Sequence, residues 1–253
     1  MILSESPKIQ ALNMDCMEFM KDKPDNYYDL AIVDPPYGIG IMSQFKSAGY
    51  LETKSMFKQS KGIKHSEWDA AIPDGDYFTE LSRVSTNRII WGGNYFLDYL
   101  GATRCLISWD KMNGTNNMSD FEIAWTNFDS GCRRFSMHHF SAGYGEKIHI
   151  CQKPIKLYRW LLDNYASCKY CKNAGMYFED VAGDGGSQVP MHCEECCRGE
   201  RNFRILDTHG GSMSSAIACH MEGFDLDICE LDEDYFNDAV KRFKLNTIQE
   251  KLF

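Results

Sequence analysis

The chain has 253 residues, of which 43% are hydrophobic, 25% charged and 13% aromatic, a globular composition that excludes disorder, collagen-like repeats and coiled coil. A net charge of -9 argues against an ordinary basic nucleic-acid binder. The length suits one main domain, 1–253, with a small insertion, and the odd number of cysteines, 11, points to reduced thiols or metal ligands rather than a disulfide scaffold.

No basic segment followed by a long apolar run opens the chain, and no stretch of about 18 apolar residues occurs, so the expectation is a cytoplasmic protein with no membrane span. The first candidate feature is Asn13-Met14-Asp15-Cys16. Asp15 reads equally as the N-cap of a helix over 16–21 and as a ligand-binding acid. Asp29 to Val33 reads as a buried strand that empties into Asp34-Pro35-Pro36-Tyr37-Gly38. The prolines hold that loop rigid, and a carboxylate beside a free carbonyl makes an acceptor pair for an exocyclic amino group. The tyrosine offers a flat surface for a base. Residues 41–67 follow, with five lysines against two glutamates and Phe45, Tyr50 and Phe57 interleaved. That is a composition for a DNA-contacting loop.

Helix-like spacing over 76–85 leads to strand candidates at 88–91, 105–109 and 121–125. Arg133-Arg134 with His138-His139 is a second basic candidate. His149-Ile150-Cys151-Gln152-Lys153-Pro154 precedes a predicted helix over 156–165, in which Leu157, Trp160, Leu161 and Tyr165 recur at helical spacing. Residues 167–201 break the pattern with two knuckles, Cys168-Lys169-Tyr170-Cys171 and Cys193-Glu194-Glu195-Cys196-Cys197, separated by 21 residues. Four thiolates at that spacing make a structural Zn2+ site of Cys168, Cys171, Cys193 and Cys196, with Cys197 an alternative fourth ligand. The remaining single cysteines read as small buried residues.

A last strand–turn–helix unit runs from Arg204 through Asp207-Thr208-His209-Gly210-Gly211-Ser212 into a helix over 214–221. Its glycines and helix N-terminus suit a carboxylate-bearing ligand. Glu230 follows the next strand, 224–229, about twenty residues on, where a nucleotide-binding unit keeps its ribose-gripping acid. A helix over 234–244 closes the chain. Strands alternating with helices imply an α/β fold with an open, mostly parallel sheet.

Together the D-P-P-Y loop, the glycine loop and the H-x-x-Q-K-P segment resemble the S-adenosylmethionine-dependent amino-group DNA methyltransferases. The order, with D-P-P-Y about 170 residues ahead of the glycine loop, is that of their beta group. The segments 91–96, 109–111 and 120–125 resemble a phage-type subgroup, and their places after strands would line a base pocket, although Trp125 reads better as core packing. The resemblance implies a Rossmann-like methyltransferase sheet with helices on both faces, permuted motif order and a small inserted zinc element. It implies methyl transfer to double-stranded DNA, adenine N6 for D-P-P-Y, with cytosine N4 as the alternative, and it is compatible with a homodimer. By it, Asp34 and the Pro35 carbonyl hold the target amino group while Pro36 and Tyr37 complete the base loop. Asp15, Asp207, Gly210, Gly211, Ser212 and Glu230 surround the cofactor, and Gln152 and Lys153 reach either its carboxylate or the base loop. The chain departs from the family pattern at Thr208, His209 and Met213. That departure motivates an alternative of another class, a non-catalytic, zinc-stapled nucleic-acid-binding protein on a degenerate scaffold. The acidic balance is local: eight acids between Glu222 and Asp238, unrelieved by lysine or arginine, leave a net -1 for the rest.

Overall fold

A computed structural model describes residues 1–40, 69–114, 119–138, 148–149, 151–166 and 203–248, together with the backbone of 176–180 and 188–192. The lysine-bearing 41–67 stretch and all four candidate zinc cysteines lie outside the described residues.

The central strand, β3 (Tyr28–Val33), shows why the sheet forms. Its Leu-Ala-Ile-Val run is buried on both faces, the mark of an interior parallel strand. Leu30 and Ile32 enter one apolar cluster, and Ala31 and Val33 enter the other. Around it lie β1 (Ile2–Glu5), β2 (Lys8–Leu12), β4 (Ser85–Trp91), β5 (Leu106–Asp110), β6 (Phe121–Thr126), β7 (Arg133–Ser136), β10 (Arg204–Asp207) and β11 (Asp225–Cys229). The sheet order is β1-β2-β11-β10-β3-β4-β6-β5-β7, and every strand but β1 and β6 runs the same way. A separate antiparallel ribbon pairs β8 (Met176–Asp180) with β9 (Gln188–His192).

Helices cover both faces. On one, α1 (Cys16–Lys21) and α2 (Gly75–Val84) bury Phe19, Met20, Tyr77, Phe78, Leu81 and Val84. Asp74 caps α2 by accepting from the Tyr77 amide at 3.1 Å. On the other face are α3 (Ile155–Tyr165), α4 (Ser214–Glu222) and α5 (Glu233–Ile248). Pro154, with its fixed φ, starts α3. Helix α4 packs between α3 and α5, and all of Ser214 to Cys219 is buried.

The sequence-predicted elements are present within a few residues. Helix α5 is longer than its apolar pattern indicated, and the short strands β1, β2 and β7 were not anticipated. The single cysteines are not uniformly buried: Cys105, Cys219 and Cys229 are, Cys16 and Cys151 are half-buried, and Cys132 is exposed. The exceptions sit at a helix start or in loops, where no neighbouring layer covers them. No described helix is long and apolar enough to cross a membrane.

From β3 the chain crosses by α2 to β4, and from neighbouring β10 it crosses by α4 to β11, in the opposite direction. The strands β3 and β10 therefore flank a topological switch point, where open α/β sheets leave a crevice beyond the carboxyl ends of the strands.

Candidate functional site

That crevice is a cavity of about 760 Å³, within the roughly 300–1,000 Å³ typical of small-molecule sites. The segments after β2, β3, β4, β5, β10 and β11 all reach it, because those strands point the same way. The antiparallel β6 contributes from its start. Asp15, Asp34, Pro35, Pro36, Tyr37, Lys153, Gly210, Gly211, Ser212 and Glu230 all line it. Asp207 is buried beneath the glycine loop instead.

The D-P-P-Y half is held by side chains. The Tyr37 hydroxyl donates to Asp34 Oδ1 at 2.5 Å, and Lys153 Nζ donates to Oδ2 at 2.5 Å. Burial pushes the Asp34 carboxyl above its ordinary value, with the Lys153 ammonium pulling the other way. Lys153, whose side chain is 3% exposed, also lies 3.2 Å from Glu122 Oε2, and Lys111 Nζ lies 2.7 Å from Glu122 Oε1. Burial opposes both charges, yet Asp34 and Glu122 hold the lysine above its usual range. The two lysines in turn bring Glu122 down to about 2 against its own burial. The result is a chain of alternating charge, Asp34, Lys153, Glu122, Lys111. Of the two places open to Lys153, the base loop is the one it takes.

The Tyr37 ring stacks on Tyr95, with centroids 4.9 Å apart and planes 15° off parallel. It lies directly over Gly92, where a Cβ would fall 2.2 Å from the ring and φ is +71°. Only glycine meets both conditions. The loop backbone is pinned from below by Asp69, buried, whose Oδ1 accepts from the amides of Tyr37 at 2.8 Å and Gly38 at 2.9 Å.

The glycine half is built from backbone. Gly210 approaches β11 so closely that a Cβ would sit 2.9 Å from the Ile228 side chain, and its amide donates to Cys229 O at 2.7 Å. Glu230 accepts from the Gly211 amide at 2.7 Å and the Asp232 amide at 2.9 Å, and burial raises its pKa. Asp207 receives the Ser215 hydroxyl at 2.5 Å and the His209 amide at 3.1 Å. Burial pushes this carboxyl up to about 7. His209, pulled down to about 4 by burial, faces the cavity as a neutral ring, with Thr208 between it and the Tyr77 hydroxyl. Met213 adopts the left-handed conformation a glycine would favour, at φ 54°. Its side chain is fully buried in the core and forms no part of the cavity wall. The departures at 208, 209 and 213 therefore leave the loop's backbone course intact. Asp15 caps α1 through Oδ1, accepting from Met17 and Glu18. Its Oδ2 has no hydrogen bond among the described residues, so capping and ligand contact are compatible.

Ser214 joins the halves. Its hydroxyl donates to the Lys153 carbonyl at 2.8 Å, and Arg242 Nη1 lies 3.2 Å from the same oxygen and 2.6 Å from Ser212 O. Trp125 packs against Gly93 and donates to Gly101 O, away from the cavity, as its core reading had it. Sequence reasoning missed Asp69, Ser214 and Arg242 altogether. Glu122 and Lys111 lay inside segments singled out without a role. Among the described residues no group of three or more His, Cys, Asp or Glu is arranged to hold a metal ion.

No protein-family profile matches the chain, and no curated protein matches it in sequence. Solved structures do match in fold. M1.HpyAVI in complex with SAM superposes with a TM-score of 0.51 at 16% identity, over 92% of this chain and 98% of that one. TTHA0409 of Thermus thermophilus, described as a DNA modification methylase and complexed with S-adenosyl-L-methionine, superposes at 0.50 with 13% identity, over 94% and 93%. At such identities the likeness establishes the fold: the Rossmann-like sheet of these proteins, with helices on both faces.

Proposed function

We propose that the chain transfers a methyl group from S-adenosylmethionine to the exocyclic amino group of a base in double-stranded DNA, with adenine N6 the favoured acceptor. The observation that carries this reading is the meeting, in one cavity at the switch point, of a rigid Asp34-Pro35 acceptor pair and a backbone-lined glycine loop with its acid, Glu230. The walls suit the cofactor. Glu230 stands where ribose hydroxyls would be gripped, Asp15 Oδ2 is open to an adenine amino group, and loop amides next to the α4 N-terminus favour a carboxylate. When bound, S-adenosylmethionine supplies an electrophilic methyl group on a sulfonium centre.

The chain's own residues do the rest by position and electrostatics. Asp34 and the Pro35 carbonyl accept the amino hydrogens, which builds electron density on a nitrogen otherwise conjugated with the ring. Tyr37, locked over Gly92, offers the flat face on which an extruded base stacks. The lysines of 41–67 supply phosphate contacts, so binding weakens as salt rises. Digestion of methylated DNA to nucleosides tests the reading. N6-methyladenine is expected, N4-methylcytosine would move the acceptor to cytosine on the same scaffold, and unmodified DNA would defeat the proposal.

The reading includes a structural zinc ion on the 167–201 element. Pairing of Met176 with His192 in the β8–β9 ribbon brings the chain ends that lead to Cys168-x-x-Cys171 and Cys193-x-x-Cys196 to the same end of the hairpin. Four thiolates there would staple an element with little core of its own. Elemental analysis is expected to give one equivalent of zinc, and less than about half an equivalent in carefully purified protein would refute the site.

A further inference from the structure

Both oxygens of Asp34 are taken in the structure, one by the Tyr37 hydroxyl and the other by the Lys153 ammonium. An incoming amino hydrogen needs one of them. The ammonium cannot be released into water, since its side chain is only 3% exposed, and an unpaired charge in such a place costs several kcal/mol. It needs a second anion within reach. Glu122 Oε2 is that anion: among the described residues it accepts no hydrogen bond, and it lies 3.2 Å from the same nitrogen. Lys111 holds the other oxygen of Glu122 at 2.7 Å and fixes the carboxylate in place.

We infer that Glu122 is a positioning residue for the transfer, receiving the Lys153 ammonium when a base amino group claims Asp34. The inference rests on the reading of Asp34 as the amino-group acceptor. Lys153 thus keeps the empty site neutral, and a small shift of its Nζ frees Asp34 Oδ2. Lys111 makes Glu122 a stable destination rather than a competitor for the base. No bond to the methyl group and no proton transfer is asked of Glu122.

The groups facing Asp34 settle the expected pH behaviour. Lys153 and Tyr37 touch it, and Glu122 stands across the ammonium. Cys151, Asp207, Tyr77 and Tyr158 surround the pair at longer range. Burial raises the Asp34 pKa, Lys153 lowers it and Glu122 raises it. Removing the Glu122 charge should therefore lower it, and removing Lys153 should raise it further.

The test compares wild type, Glu122→Gln, Lys153→Met and the double variant, by kcat against pH and by ¹³C NMR titration of Asp34 in carboxyl-labelled protein. Glu122→Gln is expected to reduce kcat about tenfold or more, the scale of one mispositioned charge pair. Its acid limb and its Asp34 titration should move to lower pH, whereas Lys153→Met should move both to higher pH. The double variant should be no slower than Lys153→Met alone, and Glu122→Asp should recover part of the rate. An unmoved Asp34 titration in Glu122→Gln, or losses that multiply in the double variant, would overturn the inference. A wild-type chain that transfers no methyl group would instead defeat the functional reading, while the titration order would still decide the coupling.

Discussion

The two loops that leave β3 and β10 stand side by side at the same edge of the sheet and are built on opposite principles. The D-P-P-Y loop is a side-chain device: two prolines stiffen it, Asp69 pins its amides, and Lys153 and Tyr37 occupy its carboxylate. The glycine loop is a backbone device, shaped by the close approach of Gly210 to β11 and by the Glu230 carboxylate on the Gly211 amide. The difference explains what each tolerates. Side chains at 208, 209 and 213 depart from the family pattern while the loop keeps its course, because Met213 turns into the core and Thr208 and His209 bond to each other and to Tyr77. A comparable change at Asp34 or Tyr37 would remove the chemistry itself.

The sharpest way to break this contrast is at Asp69. Asp69→Ala removes the acceptor of two loop amides. The resulting displacement of Asp34 is expected to lower kcat/KM by about a hundredfold, the scale of an ångström-sized misplacement. Asp69→Asn, which keeps a carbonyl acceptor, should stay within a few-fold of wild type. Steady-state kinetics decide it, and an alanine variant within about threefold of wild type would show that the prolines alone hold the loop.

A smaller effect is expected beneath the glycine loop. Asp207 is pushed up to about 7 by burial, from roughly 3.9 in an unfolded chain. A raised folded pKa contributes stability that is complete below the unfolded value and lost as pH rises through the folded one. Asp207→Asn removes that loss, so its stability relative to wild type should improve by on the order of 2 kcal/mol between about pH 5 and pH 8. Urea melts at the two pH values measure it, and a difference independent of pH would contradict the assignment.

The smallest effect is expected at Met213. Glycine relieves a left-handed residue, worth about 1 kcal/mol, and forfeits a buried side chain worth about 2 kcal/mol. A net destabilisation of about 1 kcal/mol with cofactor affinity unchanged follows, readable by thermal melts and calorimetric titration. A large change in affinity would mean that the loop depends on its side chains after all.

The same contrast governs what the sequence made legible. Asp34 to Tyr37 and Gly210 to Ser212 stood out because each packs its chemistry into a few contiguous residues after an apolar strand. Asp69, Glu122 and Lys111 did not, since only the strand order and the β6 reversal bring them to the cavity. The interior strands and amphipathic helices were visible through their apolar periodicity. Strands β1, β2 and β7 were not, being short and half-polar at or near the sheet edges, where pairing rather than burial defines them. Asp15 was ambiguous in sequence and proves able to serve both ends, its two oxygens facing different tasks.

The central claim concerns Asp34, and label transfer from methyl-tritiated S-adenosylmethionine to DNA tests it most directly, with cofactor affinity measured on the same preparations. Wild type is expected to label DNA. Asp34→Ala is expected to lose about a hundred- to a thousandfold in rate, the range for removing one preorganised group at a reacting centre, while binding cofactor nearly as well as wild type. Asp34→Ala labelling DNA at the wild-type rate would contradict the account.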